Sequence, residues 1–253
     1  MAFALTISKL EEALRQPGCP VCRLGRDAAS RAIDAFLWEH VTDPVSRQPI
    51  IDAYGFCGEH TRMLVAIEMA SSGPVLGVNI IYEQLARKVS RDLGSVRPQG
   101  SPPGRLLHNL ARRLGWKRAA VRPVMPARGE CPGCASVKAA DASHLMVLFE
   151  VLERDADDLH ALYQQADGLC LAHLRAGLEQ AGERYPRGAR WLVDETRTRL
   201  ERQSERMLEY IRKNNWQYRD EAITPDEAAA WRQALTFFSG LPKDRFTFLK
   251  DEF

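Results

Sequence analysis

All six cysteines of this 253-residue chain lie in two short motifs, and each motif occurs twice. CPxC stands at Cys19–Cys22 and again at Cys131–Cys134, and GxCxxH ends at His60 and again at His173. Corresponding positions are 112 or 113 residues apart, and this constant offset indicates an internal duplication. The repeat therefore organises the chain around its cysteines and two of its histidines.

Each repeat contains three thiols and one imidazole, which is a donor set of structural zinc sites. A CPxC turn holds two sulfurs close together, and CxxH at the start of a helix adds a third sulfur and a ring nitrogen. The positive end of the helix dipole favours the thiolate form. We therefore predict two structural zinc ions per chain. The predicted ligands are Cys19, Cys22, Cys57, His60, Cys131, Cys134, Cys170 and His173.

The motifs can be paired in two ways. A helical hairpin between the CPxC and CxxH motifs of one repeat returns its ends close together, so we predict that each zinc takes its ligands from within one repeat. In the alternative the repeats exchange motifs, and Cys19 and Cys22 join Cys170 and His173.

These motifs also occur in sites other than zinc sites. CPxC also occurs in thiol–disulfide oxidoreductases, which need a βαβ scaffold that the sequence does not indicate. An iron–sulfur cluster held by three cysteines and a histidine is chemically possible, although four cysteines are more usual. A closed four-ligand site leaves no position for a catalytic water, and no phosphate loop, GxSxG or HExxH motif is present. We therefore predict no enzymatic activity. The histidines outside the motifs are predicted to be surface or core residues rather than ligands: His40, His108, His144 and His160.

The segments between the motifs have helical periodicity. Apolar residues recur at three- and four-residue steps from Arg23 to His40 and from Ala139 to Leu152. Asp43-Pro44 and Thr224-Pro225 are typical of helix starts, and Gly240 of a helix end. We predict an all-α fold of two tandem repeats with four helices each, each repeat stapled by its zinc. One helix precedes the repeats and a helical extension follows them.

A strongly basic segment lies between the repeats. The net charge of the chain is only +2, yet residues 87–128 hold eleven Lys and Arg against one acid. The Gly/Pro/Ser-rich stretch 94–104 is predicted to be a linker between an N-terminal domain, 1–93, and a C-terminal domain, 105–253. Residues 105–118 are predicted to form an amphipathic basic helix that packs its leucines on the second repeat. The alternatives are binding to anionic lipid or to nucleic acid. Nucleic acid would be bound by Arg112, Arg113, Lys117 and Arg118.

The stretch 208–219 mixes aromatic and cationic residues. We predict that Tyr210, Trp216 and Tyr218 pack on the last repeat, and the alternative is that they stack on bases or form a partner groove.

In combination, these motifs resemble an uncharacterised bacterial family, a domain of unknown function with two cysteine–histidine repeats. The resemblance rests on CPxC…GFCxxH and CPxC…GLCxxH, on the stretch Ile211–Arg219 and on the DEA…WRQAL segment around Trp231. It extends from Cys19 to Gly240. It implies a helical fold with the eight Cys/His positions as ligands, and it implies no activity or partner.

These observations favour a cytoplasmic zinc protein that acts by binding a macromolecular partner, most simply another protein. The start of the chain lacks the features of a signal peptide, and the longest apolar stretches are too short to span a bilayer. The alternatives are a nucleic-acid-binding regulator that uses the basic segment 87–128 and a thiol-based redox or metal sensor.

Overall fold

The computed structural model describes residues 2–71, 75–95, 128–154, 157–218 and 220–241, and in these ranges the regular elements are helices, without a strand. Ten α-helices are formed there. They are α1 Ala2–Leu14, α2 Pro20–Ala35, α3 Pro44–Asp52, α4 Gly58–Ala70, α5 Leu76–Ser95, α6 Pro132–Glu153, α7 Asp157–Gln165, α8 Leu171–Ala181, α9 Pro186–Lys213 and α10 Pro225–Ser239. A π-turn, Phe36–His40, extends α2, and a 3-10 turn, Trp216–Tyr218, follows α9.

The helix count confirms the predicted all-α repeat. Helices α2–α5 form the first repeat and α6–α9 the second, with α1 before them and α10 after them. Asp43 caps α3 by accepting the backbone N–H groups of Val45 and Ser46. Thr224 and Glu227 form a capping box on α10, which ends at Gly240 in the left-handed conformation with φ 74°. The predicted helix boundaries at these residues are therefore correct.

The chain forms two compact units whose ranges differ from the predicted domains 1–93 and 105–253. The first unit combines Met1–Ala29 with Ser136–Phe253, and the second unit is Ser30–Ala135. Each unit thus contains sequence from both repeats. Residues 94 and 95 of the predicted linker end α5. The rest of the predicted linker and the predicted basic helix 105–118 lie outside the described residues, and with them Arg112, Arg113, Lys117, Arg118 and His108.

The first unit buries an apolar core to which both ends of the chain contribute. Leu10 and Val21 from the N-terminal segment are fully buried in one cluster with Leu148, Phe149 and the other apolar residues of the second repeat. Helix α9 packs closely on α6 at Gly188. A Cβ there would lie 2.8 Å from the Phe149 carbonyl oxygen, so the approach needs a glycine. Long-range burial of this kind stabilises the N-terminal segment through residues that lie far away in sequence.

The second unit has its own core. Ile33, Ile50, Leu64 and Ile81 are buried together, each from a different helix among α2–α5. The first backbone N–H groups of α5, those of Gly77 and Val78, donate hydrogen bonds to the buried carboxylate of Glu68. These contacts fix the helix that carries the first CxxH motif.

Of the three aromatic residues predicted to pack on the last repeat, Trp216 does not, and Tyr210 and Tyr218 are each 38% exposed. Trp216 is 76% exposed, and Leu208 and Ile211 on the last turns of α9 are 60% and 66% exposed. The turn at Trp216–Tyr218 places the ring centre of Tyr218 4.7 Å from the Arg212 guanidinium of α9, so Tyr218 does contact the last repeat. Within the described ranges, no helix has both the length and the apolar character that crossing a bilayer requires.

Candidate metal centres

The eight predicted ligands lie in two groups of four. Cys19, Cys22, Cys170 and His173 form the first centre, in the first unit. Cys57, His60, Cys131 and Cys134 form the second centre, in the second unit. In each group the ligand atoms lie within 4.8 Å of one another.

This grouping corrects the predicted pairing. Each CPxC pair meets the CxxH motif of the other repeat, so the exchanged arrangement is the one that forms. The reason is helix length. At about 1.5 Å per residue, the 22 residues of α6 carry the chain about 33 Å from its CPxC turn, whereas the nine residues of α7 return about 14 Å. Helices α2 and α3 have the same imbalance. The loop after α3 adds little length, because Gly55 folds back to donate its N–H to the Ile50 carbonyl.

Hydrogen bonds next to each centre join the same segments. In the first unit, Gly18 donates its backbone N–H to Asp167 at 2.7 Å, which ties the residue before one CPxC to the loop before the exchanged CxxH. In the second unit, Gly129 donates to the Asp52 carbonyl at 3.1 Å. Arg128 donates to the carbonyls of Ala53 and Phe56. The exchanged pairing is therefore stabilised independently of the cysteines.

Both motifs hold their ligands at helix N-termini. Pro20 and Pro132 are the first residues of α2 and α6, so each CPxC lies across the start of a helix. Cys57 and Cys170 are the N-caps of α4 and α8, with nearly identical backbone angles, φ/ψ −70°/168° and −74°/165°. Two helix dipoles thus direct positive potential at each group of sulfurs, which favours thiolates.

The first centre has the dimensions of a tetrahedral zinc site. Nδ1 of His173 lies 3.5, 3.3 and 3.2 Å from the sulfurs of Cys19, Cys22 and Cys170. The sulfurs of Cys22 and Cys170 are 3.8 Å apart. A tetrahedron with zinc–sulfur bonds of about 2.3 Å has edges of about 3.8 Å, so the four donors fit a zinc ion.

The second centre repeats these dimensions. Nδ1 of His60 lies 3.1 Å from the sulfur of Cys57 and 3.6 Å from those of Cys131 and Cys134. The sulfurs of Cys57 and Cys134 are 3.8 Å apart. The backbone N–H of Cys57 also donates to the Cys131 sulfur at 3.3 Å, a contact that stabilises a thiolate there.

The thiols of each group compete for ionisation when no cation is present. In the first centre, hydrogen bonding with Cys170 and Cys19, reinforced by burial, raises the pKa of Cys22 far above its usual range. Hydrogen bonds from Cys19 and Cys22 lower the pKa of Cys170 far below it. Burial opposes protonation of His173, but hydrogen bonds to Asp141 and Cys170 outweigh it and raise the pKa of His173 to about 12. Of Cys22 and Cys170, the latter is thus favoured as the thiolate, beside a protonated His173.

The second centre shows the same competition. Burial opposes ionisation of Cys57, but hydrogen bonds from the backbone and ring of His60 outweigh it and lower the pKa of Cys57 to about 6. Burial and the hydrogen bond with Cys57 raise the pKa of Cys134 to about 12. A divalent cation removes this conflict by stabilising all three thiolates at once.

Two residues that the sequence did not single out as site residues touch the centres. A Cβ at Gly133 would lie 2.4 Å from Cγ of His60, so only glycine fits at position 133. A Cβ at Gly240 would lie 2.8 Å from the Cys22 sulfur, which places the end of α10 against the first centre. The third position of CPxC is valine in one repeat and glycine in the other, and this difference in the sequence could have indicated a close contact at Gly133.

Asp141 was also missed, and it contacts a ligand directly. Its Oδ2 lies 3.1 Å from Nε2 of His173. Nothing in the sequence distinguishes it from other acids on helix faces, because its partner lies 32 positions away.

The described histidines outside the motifs lie outside both centres, as predicted. His40 is exposed beside Glu39. Nδ1 of His144 donates to the Ala140 carbonyl one helical turn earlier, at 2.6 Å. His160 stacks against Trp191 with ring centres 4.2 Å apart.

Comparison with known proteins identifies a family. A family model described as a family of unknown function (DUF6062) matches residues 3–243, nearly the whole chain. No curated protein and no solved structure matches the chain.

Proposed function

Because the chain belongs to DUF6062, a family of unknown function, we propose its function from the two centres themselves: it is a structural zinc protein that acts by binding another protein. The observation that carries this proposal is the presence of two groups of three sulfurs and one imidazole nitrogen within 4.8 Å. Soft sulfur ligands with one nitrogen in a tetrahedron suit zinc better than the oxygen-preferring divalent cations.

The role of the zinc ions follows from the position of their ligands. Each ion joins the start of a helix of one repeat to the start of a helix of the other, and so closes one compact unit. Four protein donors leave no position for a reacting water, which supports a structural role and a protein without enzymatic activity. Six cysteines kept as thiolates suit a reducing compartment, and we propose the cytoplasm.

We expect about two zinc ions per chain in freshly purified protein. Elemental analysis measures their number, and a visible spectrum separates zinc from an iron–sulfur cluster, because zinc thiolates do not absorb in the visible range. A coloured protein with iron, or a metal content well below two per chain after purification without chelators, would contradict the proposal.

The partner-binding role is supported by the exposed apolar side chains of Leu208, Ile211 and Trp216, which we name the α9 apolar surface. Exposed aromatic and aliphatic side chains are typical of protein interfaces.

A surface variant tests this role. With all three residues of the α9 apolar surface changed to serine, we expect the zinc content and the melting temperature to stay close to wild type, while a stoichiometric partner that co-purifies with the wild-type chain is lost. Val45→Ser is the matched control, because Val45 is 79% exposed and lies in the second unit. Equal recovery of the partner with both variants would exclude this surface.

A further inference from the structure

His173 contacts its surroundings through both ring nitrogens. Nδ1 faces the three sulfurs of the first centre at 3.2 to 3.5 Å, and Nε2 lies 3.1 Å from Oδ2 of Asp141 on α6. When Nδ1 binds a metal, the ring proton must stay on Nε2, where it is donated to the carboxylate. The carboxylate thereby fixes both the tautomer and the orientation of the ring.

The carboxylate of Asp141 lies in a site that is shaped for it. Its side chain is 19% exposed and that of His173 is 14% exposed. A Cβ at Gly25 would lie 2.6 Å from Oδ1 of Asp141, so a glycine on α2 provides the space. Oδ1 is buried and has no hydrogen-bond partner among the described residues. A carboxylate buried in this way needs a compensating positive charge, and a zinc ion beyond the imidazole provides one.

The second centre lacks this arrangement. The position that corresponds to Asp141 in the first repeat, 112 residues earlier, is Ala29, which has no polar side-chain atom. In the part of the chain that the structure describes, the ring of His60 makes its polar contacts with sulfurs alone, through Nδ1. Each centre has two buried and two partly exposed ligands, so the carboxylate rather than burial distinguishes the two.

We propose that Asp141 is a positioning residue for His173 and makes the first centre the tighter of the two zinc sites. This inference rests on the proposed zinc binding. A carboxylate that orients a metal-bound imidazole also increases its basicity, and loss of such a partner typically weakens metal affinity 10- to 100-fold. The second centre has no such carboxylate among the described contacts, so it loses zinc first.

Competition with a chromogenic chelator tests the proposal on the full chain. For the wild type we expect two release steps, with the second centre emptied first. Asp141→Ala should weaken the first centre about 10- to 100-fold and leave the second unchanged. The zinc affinity of the first centre in Asp141→Asn should fall between those of the wild type and Asp141→Ala. The amide oxygen of asparagine still accepts the hydrogen bond from Nε2 but carries no charge. Asp27→Ala is the matched control, since Asp27 is an exposed aspartate of the same unit.

Nitrogen NMR of the histidine rings assigns each step to its centre. In the wild type the Nε2 proton of His173 should exchange slowly with water, and in Asp141→Ala it should exchange quickly while the ring of His60 is unaffected. Unchanged zinc affinity and an unchanged Nε2 proton in Asp141→Ala and Asp141→Asn would overturn the role of Asp141, and prior release from the first centre would overturn the proposed order. A wild-type chain that holds no zinc would instead refute the proposed function itself.

Discussion

Replacement of Cys19 and Cys170 together by serine should remove one zinc ion from the chain, whereas replacement of Cys19 and Cys57 together should remove both. Cys19 and Cys170 are ligands of the same centre, so the second substitution acts on a site that is already lost. Cys19 and Cys57 belong to different centres, although both lie in the first repeat. Serine has nearly the volume of cysteine but lacks the soft thiolate that zinc prefers.

Elemental analysis of the three proteins, wild type and the two double variants, gives the answer as a ratio of about 2:1:0. Ligation within each repeat would give the ratio 2:0:1 instead, so the experiment separates the two pairings with no intermediate result. His40→Gln is the control for nonspecific loss, because His40 is exposed and lies outside both centres. It should retain two zinc ions.

The ligands could be predicted from the sequence because their identity depends only on residue type and spacing. Two thiols separated by two residues lie on the same turn in almost any fold, and proline after the first cysteine indicates a helix start at Pro20 and Pro132. The caps at Asp43 and Thr224 were predictable for the same reason, since a capping side chain bonds to a backbone group three residues away or nearer.

The pairing of the motifs could not be predicted in this way, because it depends on distances that many residues add together. Whether Cys57 returns to Cys19 is decided by the lengths of α2 and α3 and by the turn at Gly55. Helix boundaries read from sequence are uncertain by several residues, which is several ångströms at each end. The hydrogen bonds of Arg128 and Gly129 further stabilise the exchanged pairing at the second centre, and no local sequence pattern predicts them.

Contacts between residues distant in sequence were missed for the same reason. Asp141 is an ordinary acid of a helix until α8 places His173 against it. Trp216 is an aromatic residue at the end of a helix, where packing on the preceding repeat is the common outcome, yet it is 76% exposed. Both cases depend on which helix is the neighbour, and the periodicity of one helix holds no information about its neighbour.

Loss of the first centre should loosen the start of the chain as well as the second repeat. The first unit buries Leu10 and Val21 in one cluster with Phe149, so its stability depends on segments that the zinc ion joins at Cys19 and Cys170. The apparent binding free energy of structural zinc, about 10–16 kcal/mol in zinc-finger peptides, is also folding free energy, and a metal-free unit loses much of it.

Hydrogen exchange measured by mass spectrometry locates this loss. In Cys170→Ser, amide protection should fall in α1 and in the first turns of α2, although these lie about 150 residues before the substitution, and should persist around Leu64 in α4. In Cys57→Ser the pattern should reverse, because Leu64 belongs to the core of the second unit. Protection that falls throughout α1–α5 in Cys57→Ser, and throughout α6–α10 in Cys170→Ser, would show instead that each repeat folds by itself. The exchanged centres predict the first outcome, since each zinc ion stabilises the unit that its four ligands close.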